Sequence, residues 1–165
     1  DALQTEVNDA RIELMRAMKG IKPRYLNPAE DSTTIIDSVN MLIYGIAPEA
    51  EDINEFISPV SNYDVECNMY VEDGYYIGTG SSVVISDASG IIATYTVILY
   101  GDVNGDGEIN SNDAAAINSY INGGTTLIEE GNVFFAAADV NFDGVVNTTD
   151  RSIIISETVT QNPTN

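Results

Sequence analysis

The chain has no histidine and no tryptophan, one cysteine, and only six lysines and arginines among its 165 residues. Without histidine there is no His-based zinc site, no Ser-His-Asp triad and no Cys-His dyad. A lone Cys67 makes neither an internal disulfide nor a thiolate cluster, and it is compatible with either redox compartment. The six cations face 26 acids, for a formal net charge of −20. Phosphate contacts need a basic face, so the charge argues against nucleic acid as a partner, and against an anionic membrane surface for the same reason. No apolar run reaches the roughly eighteen residues of a membrane helix. No signal peptide is visible; the chain opens at Asp1 inside a helical pattern and reads as a fragment whose targeting signal lies upstream. Apolar side chains, by contrast, are plentiful. A hydrophobic content of 44% argues for a folded protein, with room for one ordinary domain or two small ones.

Residues 1–22 carry Leu3, Val7, Ala10, Leu14, Ala17 and Ile21 at spacings of three and four, which predicts an amphipathic helix. "KPRYLNPAEDS", Lys22 to Ser32, has two prolines and a polar run and reads as a linker. From about 33 to 100 the pattern is mostly that of strands. "VECNMYV" places Val65, Cys67, Met69 and Val71 on one face, so Cys67 is expected to be a buried, inert thiol. "EDG" at 72–74 and "SDASG" at 86–90 are hairpin signals. The run from Ile91 to Tyr100 is rather apolar on both faces and predicts a strand covered on both sides, as in a small sandwich. "PEAEDINEFI", Pro48 to Ile57, predicts a short helix with proline in its first turn.

The second part of the chain repeats itself. "DVNGDGEINSND" (102–113) aligns with "DVNFDGVVNTTD" (139–150), and each copy is followed by a helical run, "AAAINSYI" and "RSIIISETV". The first copy packs three aspartates, three asparagines and two glycines together. Like charges this close repel, so such a loop is either unfolded or built around something positive. Calcium takes six to eight oxygens, which a twelve-residue loop supplies from positions 1, 3, 5, 7, 9 and 12 with glycine at position 6. In the first copy these are Asp102, Asn104, Asp106, the Glu108 carbonyl, Asn110 and Asp113, with Gly107. In the second they are Asp139, Asn141, Asp143, the Val145 carbonyl, Asn147 and Asp150, with Gly144. Ile109 and Val146 fill the apolar anchor position, and position 9 is expected to act through a water. An accidental acidic turn would have to reproduce every ligand position twice at one spacing. Position 12 is Asp rather than Glu, one methylene shorter, so the exiting helix must come closer to the ion. A strand pattern, "TYTVILYG", enters the first loop, so the unit is half an EF-hand. That disfavours a sensor opening a groove between two helices.

Two loop–helix repeats of the form D-x-N-x-D-G-x-[IV]-N-x-x-D resemble the dockerin family over about residues 101–158. The resemblance implies a non-catalytic module of secreted proteins of anaerobic bacteria. Such a module binds a cohesin of a scaffoldin or cell-surface protein and thereby joins its parent to a cellulosome-like, polysaccharide-degrading complex. It further implies two calcium ions, and cohesin contacts at Ser111, Asn112, Asn118 and Ser119 in the first repeat and at Thr148, Thr149, Ile155 and Ser156 in the second. Helix capping is the competing role for Ser111 and Thr148. Ile153, Ile154 and Ile155 are consecutive and cannot all face one core, so an exposed isoleucine is an expected anchor. The repeats differ, Asn118 against Ile155 and Tyr120 against Glu157, which implies one dominant docking orientation. A clasp of the module's ends would pair Tyr100 with Pro163. The stretch before the repeats resembles, more loosely, the Ig-like or X-type modules that precede dockerins.

The expected architecture is therefore α+β, in three parts. An N-terminal helix and linker span 1–32, a small Ig-like β-sandwich of X type spans 33–100, and an all-α dockerin with two calcium-loop–helix repeats spans 101–165. A hydrolase is the first rival, since paired carboxylates cleave glycosides. The clustered aspartates are taken by the loops, however, and Asp64, Glu66, Glu72, Asp73 and Asp87 fall on strand faces or in turns. The second rival is a calcium-stabilised carbohydrate-binding module that uses exposed tyrosines, Tyr75 or Tyr76 among them, in the absence of tryptophan. The expected partner is a cohesin, with no nucleic acid and no membrane, and the chain on its own is expected to be monomeric.

Overall fold

The computed structural model describes residues 25–60, 62–69, 76–156 and 158–161. The helix expected over 1–22, the "EDG" turn, Tyr75 and Pro163 lie outside the described residues. Among the described residues seven strands come first: β1 (Leu26–Pro28), β2 (Ile35–Asp37), β3 (Leu42–Tyr44), β4 (Ile57–Pro59), β5 (Asp64–Asn68), β6 (Ser82–Asp87) and β7 (Gly90–Val97). Three helices follow: α1 (Ser111–Ile121), α2 (Val133–Ala138) and α3 (Thr148–Ile155). Five strands form one mixed sheet in the order β2-β3-β7-β6-β5, and β1 pairs with β4 as a separate two-stranded ribbon.

The hairpin of β6 and β7 follows the sequence closely. Asp87 accepts the Ser89 N–H at 2.7 Å, and Gly90 turns the chain with φ +126°. β5 pairs antiparallel with β6 from Asp64↔Ser86 to Asn68↔Ser82. Its alternation holds, with Val65 and Cys67 half-buried and Asp64, Glu66 and Asn68 exposed. Burial, then the charge of Asp52, pushes the Cys67 thiol up to about 11, as suits an inert packing residue. β3 joins β7 in parallel, Leu42↔Thr96 and Ile43↔Val97, a pairing between segments far apart in the chain.

Two expectations are corrected here. The first is the sandwich. A sandwich needs two facing sheets, but the apolar face of this sheet is covered by the β1–β4 ribbon and irregular chain. Leu26, Ile46, Ala50, Ile53, Ile57 and Ile77 pack there on Ile43, Val83, Ile85, Tyr95 and Val97. β7 is not covered on both faces: Ala93, Tyr95 and Val97 are buried, whereas Thr94 is exposed and Ile91 is 73% exposed. The second correction concerns residues 101–161, which are not all-α. They hold three short helices, and the remaining backbone is loop whose N–H groups bond to Asp and Asn side chains instead of to helical carbonyls. The fold as a whole is mixed α+β, with the strands before residue 98 and the α-helices after 110. The helix expected at Pro48–Ile57 shrinks to a single 3-10 turn at Ile53–Glu55. Glu49 there has φ +61°, and Asp52 captures the Asn54 N–H.

A second apolar cluster lies under the helices: Val103, Ala114, Ile117, Ile128, Ala137, Ala138, Val140, Val146 and Ile154, with Ile98 and Tyr100 from the chain after β7. Leu42 and Tyr44 of β3 pack on this cluster too, with Tyr44 stacked on Tyr100 at 6.1 Å between ring centres.

Candidate metal centre

The first loop is folded by its own side chains. Asp102 Oδ1 accepts the Gly105 N–H at 2.7 Å, Asn104 Oδ1 that of Asp106 at 2.9 Å, and Asp106 Oδ1 that of Glu108 at 3.0 Å. Short polar side chains that bond the backbone two or three residues on curl the chain around themselves. Gly107 takes φ +80° with Tyr76 against it, where a Cβ would lie 2.5 Å from the tyrosine Cβ. From the first turn of α1, Asp113 reaches back to close the loop. Its Oδ1 accepts Val103 N–H at 2.8 Å and Asn104 N–H at 3.2 Å, and its Oδ2 accepts Asn110 N–H at 2.8 Å. Asn110 in turn caps α1 in a reciprocal capping box.

The second loop repeats this pattern. Asp139 accepts Gly144 N–H at 2.9 Å, Asn141 accepts Asp143 N–H at 3.0 Å, and Asp143 accepts Val145 N–H at 2.9 Å. Asp150 accepts Asn141 N–H at 3.3 Å and Asn147 N–H at 2.9 Å, and Asn147 caps α3 in the same reciprocal box. The two loops are not equally placed. Asp102, Gly105 and Gly107 are buried, whereas Phe142, Asp143, Gly144 and Val145 are exposed.

Asp102, Asp113 and Asp150 are 0% exposed, and Arg151 is the only lysine or arginine among the described residues. Burial, then the charge of Asp113, raises the Asp102 carboxyl to about 7 against three backbone N–H donors that pull it down. Burial, then Asp106, raises Asp113 to about 6; burial, then Asp139, raises Asp150. Buried carboxylates with no cationic partner among the described residues, in loops that also carry amide and carbonyl oxygens, form a hard-oxygen donor set suited to a divalent cation such as calcium. Among the described residues no three acidic, thiol or imidazole side chains converge as a ready-made cluster. A divalent ion in the first loop would therefore need the oxygens of Asn104 and Asn110 and the Glu108 carbonyl as well as the aspartates. Asn104 Nδ2 donates to Asp106 Oδ2 at 2.7 Å, and in the second loop Asn147 Nδ2 donates to the Val145 carbonyl at 3.1 Å.

The two helices that follow the loops, α1 and α3, pack on each other. Ser111, Asn112, Asn118, Thr148, Thr149 and Ser156 are exposed, and Ser119 is half-buried. The capping role falls to Asn110 and Asn147, so Ser111 and Thr148 stand at exposed first positions of their helices. Of the three consecutive isoleucines, Ile154 is buried and Ile155 is 54% exposed. Ile154 and Ile155 line a shallow cavity of about 330 Å³ together with Ile109, Asn110 and Ser111. Two features escape a reading of the sequence. Gln161 bridges the backbone of Tyr100, accepting its N–H at 2.9 Å and donating to its carbonyl at 2.7 Å. The Thr79 N–H reaches Asp102 Oδ2 at 2.8 Å. A backbone donor leaves no residue-type signal, and a single glutamine in a polar tail leaves almost none.

Residues 100–157 match the family model of the dockerin type I domain. No curated protein and no solved structure matches the chain. No helix among the described residues is long and apolar enough to cross a membrane. With the repeated loops, their exiting helices and the family match in one segment, residues 100–157 form a dockerin module, a non-catalytic type of module that binds calcium and docks onto cohesins.

Proposed function

We propose that this chain attaches its parent protein, through a scaffoldin or cell-surface cohesin, to an extracellular polysaccharide-degrading complex. Two calcium ions would be held by Asp102, Asn104, Asp106, Glu108, Asn110 and Asp113, and by Asp139, Asn141, Asp143, Val145, Asn147 and Asp150. The observation that carries this reading is the recurrence of one side-chain-folded loop, closed each time by an aspartate from the next helix. Each calcium would tie its loop to the start of α1 or α3 and so fix the surface that carries Ser111, Asn112, Asn118 and Ser119, or Thr148, Thr149, Ile155 and Ser156. Ile155, exposed on α3 where α1 presents Asn118, favours one docking orientation weighted toward the second repeat. The surplus of acid keeps nucleic acid and anionic membranes off the list of partners.

Calorimetric titration of the chain into a panel of cohesins, with calcium and then with EDTA, tests the proposal. One-to-one binding to one cohesin class that EDTA abolishes is the expected result, with Ile155→Asp weakening it by about tenfold or more while melting temperature holds. Binding that survives EDTA, or no binding to any cohesin, would overturn it. Sugar binding is not favoured. Tyr25 and Tyr63 pack edge to face, Tyr44 stacks on Tyr100, Tyr120 meets Phe135, and no described tyrosine is exposed.

A further inference from the structure

The two loops share one sequence pattern but sit in different surroundings, and the difference comes from the β-rich part of the chain. Asp102 Oδ2 accepts a hydrogen bond from Thr79 N–H at 2.8 Å as well as from its own loop's Gly107 N–H at 3.1 Å. Among the described residues, the carboxylate of its counterpart Asp139 accepts only from the Asp143 and Gly144 N–H groups of its own loop. The Gly107 carbonyl accepts the Glu49 N–H at 2.8 Å, and Ile77 N–H donates to the Ala50 carbonyl at 2.7 Å, so segments 49–50 and 77–79 form a laced strap across the first loop.

Thr79 is itself fixed. Its hydroxyl donates to the Leu99 carbonyl and accepts the Leu99 N–H, both at 3.1 Å, and the residue is fully buried. Beside it, Gly78 has no left-handed backbone to explain its glycine. A Cβ there would lie 2.4 Å from the Gly105 carbonyl oxygen, 2.6 Å from Asp102 Oδ2 and 2.6 Å from the Gly107 nitrogen. The missing side chain serves the close approach of strap to loop. In the second loop a Cβ at Gly144 would meet nothing within 4 Å.

We infer that Gly78 and Thr79 are positioning residues of the first calcium loop. They hold Asp102 in its ligating position, so that the first loop takes calcium more tightly than the second, and does so only while the β-rich part is folded around it. The inference rests on the calcium reading above. Outer-shell partners that hold a metal ligand in place characteristically set affinity by about ten- to a hundredfold, and among the described residues only the first loop has such a partner from outside its own repeat.

The test uses the full chain with one loop disabled at a time: Asp143→Ala leaves the first loop, Asp106→Ala the second. Adding Gly78→Ala is expected to weaken calcium binding about ten- to a hundredfold in the first background and less than about twofold in the second. Independently, calcium should slow exchange of the Thr79 amide in the Asp143→Ala chain and leave it unchanged in the Asp106→Ala chain. This second measurement decides the matter if Gly78→Ala disturbs the sheet, as judged from the Val83 and Tyr95 amides. Equal effects of Gly78→Ala on both loops, or a Thr79 amide indifferent to the first loop's calcium, would overturn the inference. Absence of calcium binding in both single-loop chains would instead overturn the calcium reading beneath it, and the inference with it.

Discussion

Asp102 accepts three backbone N–H groups, each of which favours its charged form, and still titrates near 7 because burial outweighs them. Asp113, near 6, and Asp150 are raised for the same first reason. A carboxyl whose folded pKa lies above its unfolded value binds more protons in the folded state. Without metal, these groups therefore favour folding most in acid and oppose it increasingly as pH rises toward about 7. Calcium binds the deprotonated form and reverses the slope. In EDTA the chain is expected to melt at a higher temperature at about pH 5 than at about pH 7.5, and in saturating calcium at a lower one. Asp102→Asn should flatten the EDTA slope, which separates the effect of this site from general acid repulsion. The same slope sign in EDTA and in calcium would contradict the assignment of these aspartates. The two repeated loops and the helices that leave them were legible in the sequence, because such loops repeat residue types at fixed intervals. The unequal burial of the two loops was not legible, since it comes from a glycine and a main-chain N–H in a distant segment.

In the helices, the asparagine at loop position 9 doubles as the N-cap, and the aspartate at position 12 is the other half of its capping box. The shared capping box makes helix start and loop closure one structure. α3 has 8 residues, little more than two turns, so the loss of one cap is a large fraction of what holds it. Asn147→Ala is expected to cost about 1 kcal/mol in calcium-saturated chemical denaturation, and Asn147→Ser to restore most of it. If Ser were no better than Ala, the cap would not be what Asn147 contributes. Among the strands, β5 to β7 were legible because alternation and the "SDASG" turn are local signals. The three-residue strands β1 to β4 were not, because their pairing is set by contacts across the chain, β3 with β7 and β1 with β4. That nonlocal pairing is why a sandwich was expected where a single sheet is covered by a ribbon and loops.

The two apolar clusters differ in make. The first is built of large side chains under a five-stranded sheet, with Leu26, Ile43, Ile57, Ile85 and Tyr95 fully buried. The second leans on Ala114, Ala137 and Ala138 around Ile117 and Ile154, and small side chains remove little apolar area from water. Its principal helices, α1 and α3, have 11 and 8 residues, below the roughly 12–15 at which an isolated helix begins to hold. They therefore depend on each other and on two acidic loops in a chain of net charge −20. Withdrawing calcium is expected to lower the local stability of residues 101–161 much more than that of the sheet. In native-state amide exchange, Ile117 and Ile154 should lose protection in EDTA and Val83 and Tyr95 should keep it. Asp106→Ala combined with Asp143→Ala should reproduce that pattern in calcium and abolish cohesin binding. Salt should restore part of the loss in EDTA, since about 0.1 M screens exposed charges beyond roughly 10 Å. Thr79, in the strap between the clusters, should exchange with Ile117 and Ile154 and not with Val83. If all five amides exchanged together, the strap would join the clusters into one cooperative unit, and calcium would be holding the sheet as well as the helices.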